Sequence, residues 1–182
     1  MCNSENKKVW IVIAAYNEAT TIKDVINDLQ ASGLHNIVIV DDGSTDATSQ
    51  IVKDSGAYLL RHHVNRGQGA ALQTGIEYAK LHGAEFFVTF DADGQHLPSD
   101  VSLMLHALIE SEADIALGSR FLGSVVDISR TRLLLLKTAL LWTRIIIGLP
   151  LTDVHNGFRI MSVKFTNEFQ FTYDRMSCTT HG

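Results

Sequence analysis

The chain has 182 residues, 46% of them apolar and 19% charged, with a formal net charge of −5. That length suits one domain with a real core, and an acidic balance without any Lys/Arg run argues against a nucleic-acid binder. Two cysteines, Cys2 and Cys178, and a polar start from Met1 to Lys8 with no apolar signal segment point to reduced thiols in the cytoplasm.

Strand and helix signals alternate from residue 9 onward. Val9 to Ala14 is a continuous apolar run, read as a buried first strand, and Thr20 to Ser32 follows with helical spacing (Ile22, Val25, Ile26, Leu29) and a stop at Gly33. Asn36 to Val40 is a second strand that ends in Asp41-Asp42-Gly43-Ser44; Ser44 or Thr45 is expected to cap a helix reaching about Asp54, with Asp46 in its first turn. Tyr58 to Arg61 reads as a short third strand, Gly67 to His82 as an Ala-rich helix and Phe86 to Phe90 as a fourth strand. Pro98 suits the first position of a helix ending near Ser111, and Ile115 to Gly118 is a fifth strand. This alternation predicts an α/β fold, a mostly parallel twisted sheet with helices on both faces.

In such sheets ligands bind beyond the carboxyl ends of the strands. Three polar clusters fall there: Tyr16-Asn17-Glu18, Asp41-Asp42 and Asp91-Ala92-Asp93. Carboxylates at i and i+2 where a strand ends project to the same side, and holding two like charges together is costly without a cation. Asp91 and Asp93, with the amide oxygen of Gln95, make a hard oxygen set suited to Mg²⁺ or Mn²⁺ carrying phosphate oxygens. A solvated Asp-rich turn is the plainer account of those residues. His62, His63, His96 and His155 fit no zinc-ligand spacing. Gly67 and Gly69 fail a dinucleotide-binding fingerprint, because Leu72 stands at its sixth position and the motif follows the third strand. Close packing of that helix on the sheet is the better account of them.

In order along the chain come Ala15-Tyr16-Asn17-Glu18, Val40-Asp41-Asp42-Gly43-Ser44, Asn65-Arg66-Gly67-Gln68-Gly69, Asp91-Ala92-Asp93-Gly94-Gln95-His96, Gly118-Ser119-Arg120 and Asp153-Val154-His155-Asn156-Gly157-Phe158-Arg159. Together they resemble the family-2 glycosyltransferases of the GT-A fold, above all the dolichyl- and polyprenyl-phosphate sugar transferases. The resemblance covers residues 9 to about 163, so 9–163 is expected to be the transferase domain, 1–8 a flexible start and 164–182 an incomplete C-terminal element, as in a fragment. It implies a metal-dependent, inverting transferase, with Asp91, Asp93 and Gln95 on Mg²⁺ or Mn²⁺. Tyr16, Glu18, Asp41, Asp42, Gly67 and Asp91 would hold a UDP- or GDP-sugar, Asp42 by bonding the base. Asp93, Asp153 and Arg120 would serve catalysis, Asp153 as the carboxylate that orients or deprotonates the acceptor. Arg120, Arg159 and either Arg130 or Arg132 would receive an acceptor phosphate, where the guanidinium fork matches oxygen geometry. Where family members often carry Pro before the Tyr loop, this chain has Ala14-Ala15, which implies a slightly less rigid loop.

Leu133 to Leu149 is apolar but only 17 residues long and carries Lys137 and Arg144, too short and too charged for a membrane span. Arg130, Lys137 and Arg144 recur every seven residues, nearly in line along a helix, among Leu, Ile and Trp142. That pattern suits either a core helix with one solvated face or an interfacial helix whose basic stripe meets lipid phosphates. The expected acceptor is a polyprenyl phosphate at the cytoplasmic membrane face; with no Gln-x-x-Arg-Trp motif, transfer of a single sugar is favoured over processive synthesis. A transferase acting on a soluble saccharide and a non-catalytic nucleotide-sugar-binding module are the alternatives, and self-association stays open. A nucleotidyltransferase would carry a Gly-rich basic loop where Tyr16-Asn17-Glu18 stands.

Overall fold

The computed structural model describes residues 8–94, 96–118 and 158–168. Gln95, Arg120, Arg130, Arg132 and Asp153, and the segment read as an interfacial helix, lie outside the described residues.

The described residues build a six-stranded sheet. In chain order the elements are β1 (Val9–Ala15), α1 (Ile22–Ala31), β2 (Ile37–Asp41), α2 (Thr48–Asp54), β3 (Tyr58–Arg61), α3 (Gln68–Leu81), β4 (Phe86–Thr89), α4 (Pro98–Glu110), β5 (Ile115–Leu117), β6 (Arg159–Ser162) and α5 (Val163–Glu168). The strand order is β3-β2-β1-β4-β6-β5. β1 runs parallel to both β2 and β4, β2 runs parallel to β3, and β6 is antiparallel to β4. The α/β architecture with a mostly parallel sheet is therefore the one expected.

Runs of apolar residues, rather than alternating ones, make these strands because both faces of the sheet are covered. Side-chain alternation divides each run between two cores. Val9, Ile11, Ile13, Ile37, Ile39, Val88 and Ile160 pack with α1, α2 and α4 through Ile22, Val25, Ile26, Leu29, Val52, Val101 and Leu108. Trp10, Val12, Val38, Phe87 and Met161 pack on the other face with Ile76 and Ala79 of α3. The close approach of α3 to the sheet falls at Gly75, where an added Cβ would lie 2.5 Å from Val12 Cγ1 and 3.3 Å from Val40 Cγ2. Gly67 has a different use: at φ 94°, ψ 156° it precedes the helix in a conformation that side chains disfavour.

Two local expectations change. α2 begins at Thr48 with Ala47 before it, so neither Ser44 nor Thr45 caps it and Asp46 precedes its first turn. The reason is tertiary: Ser44 and Thr45 are engaged by Asn17 of the preceding βα loop. β6 is also a strand that its short sequence, Arg159-Ile160-Met161-Ser162, does not announce; it forms by pairing with β4, Thr89 opposite Arg159 and Phe87 opposite Met161.

Candidate functional site

β1, β2 and β4 lie side by side and point the same way, so their carboxyl ends form one edge. β2 and β3 extend from β1 on one side while β4 lies on the other, which makes the β1/β4 boundary the switch point where such sheets bind ligands.

At the tip of β1, Asn17 takes a left-handed φ of 56°, which Asn tolerates better than most residues. Its N–H donates to Ser44 Oγ at 2.9 Å, and its Oδ1 accepts from Thr45 N at 2.9 Å. Glu18 N donates to Thr48 Oγ1 at 2.9 Å and Ala19 N to Asp46 Oδ2 at 3.1 Å. Asp46 Oδ1 also accepts from the Thr48 amide and hydroxyl. The Thr48 hydroxyl foremost, opposed next by desolvation and then aided by the amides of Thr48 and Ala19, holds the Asp46 carboxyl below its ordinary value. The loop after β1 is thus stitched to the loop after β2. Within it, Tyr16 is 47% exposed, available to a ligand, and the Glu18 carboxylate accepts from Thr21 Oγ1 at 2.9 Å.

At the tip of β2 the two aspartates have separate tasks. Asp41 is fully buried; its Oδ1 accepts from Ser44 N at 2.8 Å, and its Oδ2 meets the Ser49 hydroxyl and Arg61 Nε, the latter at 3.4 Å. It closes the turn. Asp42, 3% exposed, accepts from Arg66 N at 3.0 and 3.1 Å and from Gly67 N at 2.7 Å, and its Oδ1 lies 2.6 Å from His62 Nδ1. The other ring nitrogen of His62 faces Thr74 Oγ1 of α3 at 3.1 Å. A carboxylate offers about four acceptor positions, and here three protein groups, the Arg66 and Gly67 amides and His62 Nδ1, already engage it. A nucleobase bonded to Asp42 would share it with these groups.

The fourth strand completes the edge. Asp91 Oδ2 lies 2.9 Å from His96 Nε2, and its Oδ1 lies 3.4 Å from Gln68 Nε2. Asp93 is exposed two residues on, beside Gly94 at φ 73°. Since Asp42 holds the Gly67 amide and Gln68 reaches Asp91, one short segment joins the tips of β2 and β4. Arg159, opposite Thr89 at the start of β6, lies at the same end of the sheet.

Among the described residues no group of three or more His, Cys, Asp or Glu is placed to hold a metal ion. Asp91 and Asp93 nevertheless fit the chemistry of Mg²⁺ or Mn²⁺. Hard cations of this kind are held by one or two carboxylates together with the oxygens of a bound phosphate and water. The sequence assigns no site role to His62, Thr74, Gln68 or His96, although Gln68 and His96 stand inside the motifs and His62 and His96 among the histidines rejected as zinc ligands; their partners lie between 5 and 23 residues away.

A mostly parallel sheet that gathers aspartates, a left-handed loop and a glycine-led helix at its switch point is an α/β domain of the GT-A type. Residues 10–169 match the model of glycosyl transferase family 2, and the chain belongs to that family. It is 44% identical over 121 residues to an uncharacterized protein of Methanocaldococcus jannaschii, covering 66% of this chain and 50% of that protein. It is 37% identical over 132 residues to the UDP-N-acetylglucosamine–dolichyl-phosphate N-acetylglucosaminyltransferase of Methanococcus voltae (63% and 53%). With the polyprenol monophosphomannose synthase of Mycolicibacterium smegmatis it shares 31% over 162 residues (84% and 61%). The chain thus spans between half and about three-fifths of these relatives' lengths. In fold it is similar to glucosyl-3-phosphoglycerate synthase from Mycobacterium tuberculosis, solved with Mn²⁺ and UDP-glucose, at a TM-score of 0.66 and 23% identity over 90% of this chain and 58% of that one.

Proposed function

We propose that this chain carries the donor site of an inverting transferase that moves one sugar from a nucleotide-sugar to a polyprenyl phosphate at the cytoplasmic face of a membrane. The observation that carries this reading is the contact path Asp42–Gly67–Gln68–Asp91, which joins two strand tips across the switch point. The relatives named for dolichyl-phosphate and polyprenol substrates support the acceptor class.

Tyr16 and Glu18 would border the base and ribose, with Asp41 and Asp42 fixing the loop that Gly67 closes. Asp91 and Asp93, with Gln95, would hold Mg²⁺ or Mn²⁺, which when bound neutralises charge growing on the leaving diphosphate. The bond from the anomeric carbon to the diphosphate oxygen breaks as an acceptor phosphate oxygen bonds to the opposite face of that carbon. A lipid phosphate is already anionic at neutral pH and needs positioning rather than deprotonation. Arg159, Arg120 and one of Arg130 and Arg132 would position it; Asp153 would serve as base if the acceptor were a hydroxyl.

Thermal unfolding with UDP or GDP, each with Mn²⁺ or with EDTA, tests the donor site. Ligand at a hundredfold excess over Kd adds about 2.7 kcal/mol, or roughly 5–10 °C in Tm for a chain of this size. One nucleotide should produce that rise with Mn²⁺, and EDTA should remove it. Asp93→Ala should abolish the Mn²⁺-dependent rise while the ligand-free protein still unfolds cooperatively near the wild-type Tm. Full retention of the rise in Asp93→Ala would refute the reading.

A further inference from the structure

Resting on that donor-site reading, the geometry points to His96 as a positioning residue that sets the orientation of the metal-binding carboxylate Asp91. Its side chain is only 10% exposed and that of Asp91 25%. Because a carboxylate only accepts, His96 Nε2 carries the proton of the 2.9 Å bond to Asp91 Oδ2. The imidazole cannot turn freely, because two rings confine it. It stacks on Phe158 with centroids 5.2 Å apart and planes at 25°, and meets the edge of Phe90 at 5.6 Å and 72°. Phe90 and Phe158 are each 3% exposed and pack edge to face at 5.7 Å. A rigid donor therefore fixes one oxygen of Asp91. Oδ1, held among the described residues only by the long 3.4 Å approach of Gln68, is left the more available to a cation. This is the arrangement by which an outer partner tunes a metal ligand without touching the metal. Phe158 directly precedes Arg159, so the same ring also fixes the start of β6 relative to the Asp91 turn.

The donor and the ring can be separated by substitution. His96→Phe keeps an aromatic ring between Phe90 and Phe158 but deletes the N–H. His96→Gln loses the ring but places an amide donor near the Nε2 position. Mn²⁺ affinity is read by EPR of free Mn²⁺ in the presence of UDP or GDP, and stability by thermal unfolding of the same full chains. His96→Phe should bind Mn²⁺ about 10–100-fold more weakly than wild type, and His96→Gln should recover most of that loss. Stability should run the other way, with His96→Phe at least as stable as His96→Gln. A role confined to packing would make the two orders agree. If His96→Phe fails to fold, His96→Asn replaces it, since its shorter amide stops short of Asp91 and should bind as weakly. Wild-type Mn²⁺ affinity in the donor-deleted variant, or no recovery in His96→Gln, overturns the assignment and leaves the donor-site reading standing. Absence of Mn²⁺ binding by the wild-type chain overturns both.

Discussion

Asp46 illustrates how much of this site is held by small exposed bonds. Its carboxylate takes the Ala19 amide from one loop and the Thr48 amide and hydroxyl from its own, so the loops after β1 and β2 meet through one side chain. Those bonds lower its pKa in the folded chain below the ordinary 3.8. The unfolded chain therefore takes up the proton first as pH falls. The stabilisation is fully present above the unfolded value and is lost as pH drops through the folded one. Asp46→Asn should lower Tm by a few degrees at pH 7. That gap should narrow in acid below about pH 4, as scanning calorimetry of both proteins from pH 3 to 7 would reveal; a gap independent of pH would contradict the assignment. Asp46 was readable in the sequence only as a first-turn acid of α2, because the bond by which it joins the two loops runs to Ala19, 27 residues away. Asp42 is a similar case. Its place after a strand was plain from sequence, whereas its clasp on residues 66 and 67 depends on where the loop after β3 returns.

Elements were more open to sequence reading than side-chain partners. β1 to β5, α1, α3 and α4 follow from apolar runs, helical spacing and Pro98, with ends differing by one or two residues. Tertiary contacts account for the differences: loop bonding delays the start of α2, and β6 exists only through its pairing with β4. Gly75 was hidden for the same reason, since nothing local distinguishes it from Gly67 or Gly69. In Gly75→Ala the new methyl would press on Val12, which is fully buried, and lie 3.3 Å from Val40. Overpacking costs about 1–3 kcal/mol, against a gain of roughly 1 kcal/mol in helix propensity. A net loss on the order of 1 kcal/mol should appear in urea unfolding, with Gly75→Val losing more. An unchanged or raised midpoint for Gly75→Ala would show that α3 moves off the sheet freely.

For the whole molecule, the proposed transfer to a lipid phosphate requires the strand-tip edge to face a membrane. Among the described residues no helix is long and apolar enough to cross a membrane. The basic positions Arg130, Lys137 and Arg144 lie outside the described residues, and their proposed contact with the bilayer rests on spacing alone. Each basic side chain near an anionic surface contributes about 1 kcal/mol. Replacing both Lys137 and Arg144 by Ala should therefore weaken partitioning onto vesicles rich in anionic lipid by about 30-fold at low salt. Sedimentation with such vesicles measures this, and unchanged partitioning would return the segment to a core role.

The strand order has a consequence for how the chain is made. β5 is synthesised before β6, yet within the described sheet it meets the other strands only through β6. A ribosome that has released residues up to Leu117 has therefore delivered a strand with no place to dock and a β4 whose outer rim stays unpaired. Unpaired rims of this kind invite association between nascent chains. Only after Ser162 leaves the exit tunnel can the sheet close on that side, and Lys80 of α3 then reaches the carbonyl of Thr166 at 3.0 Å and clips the late-arriving segment in place.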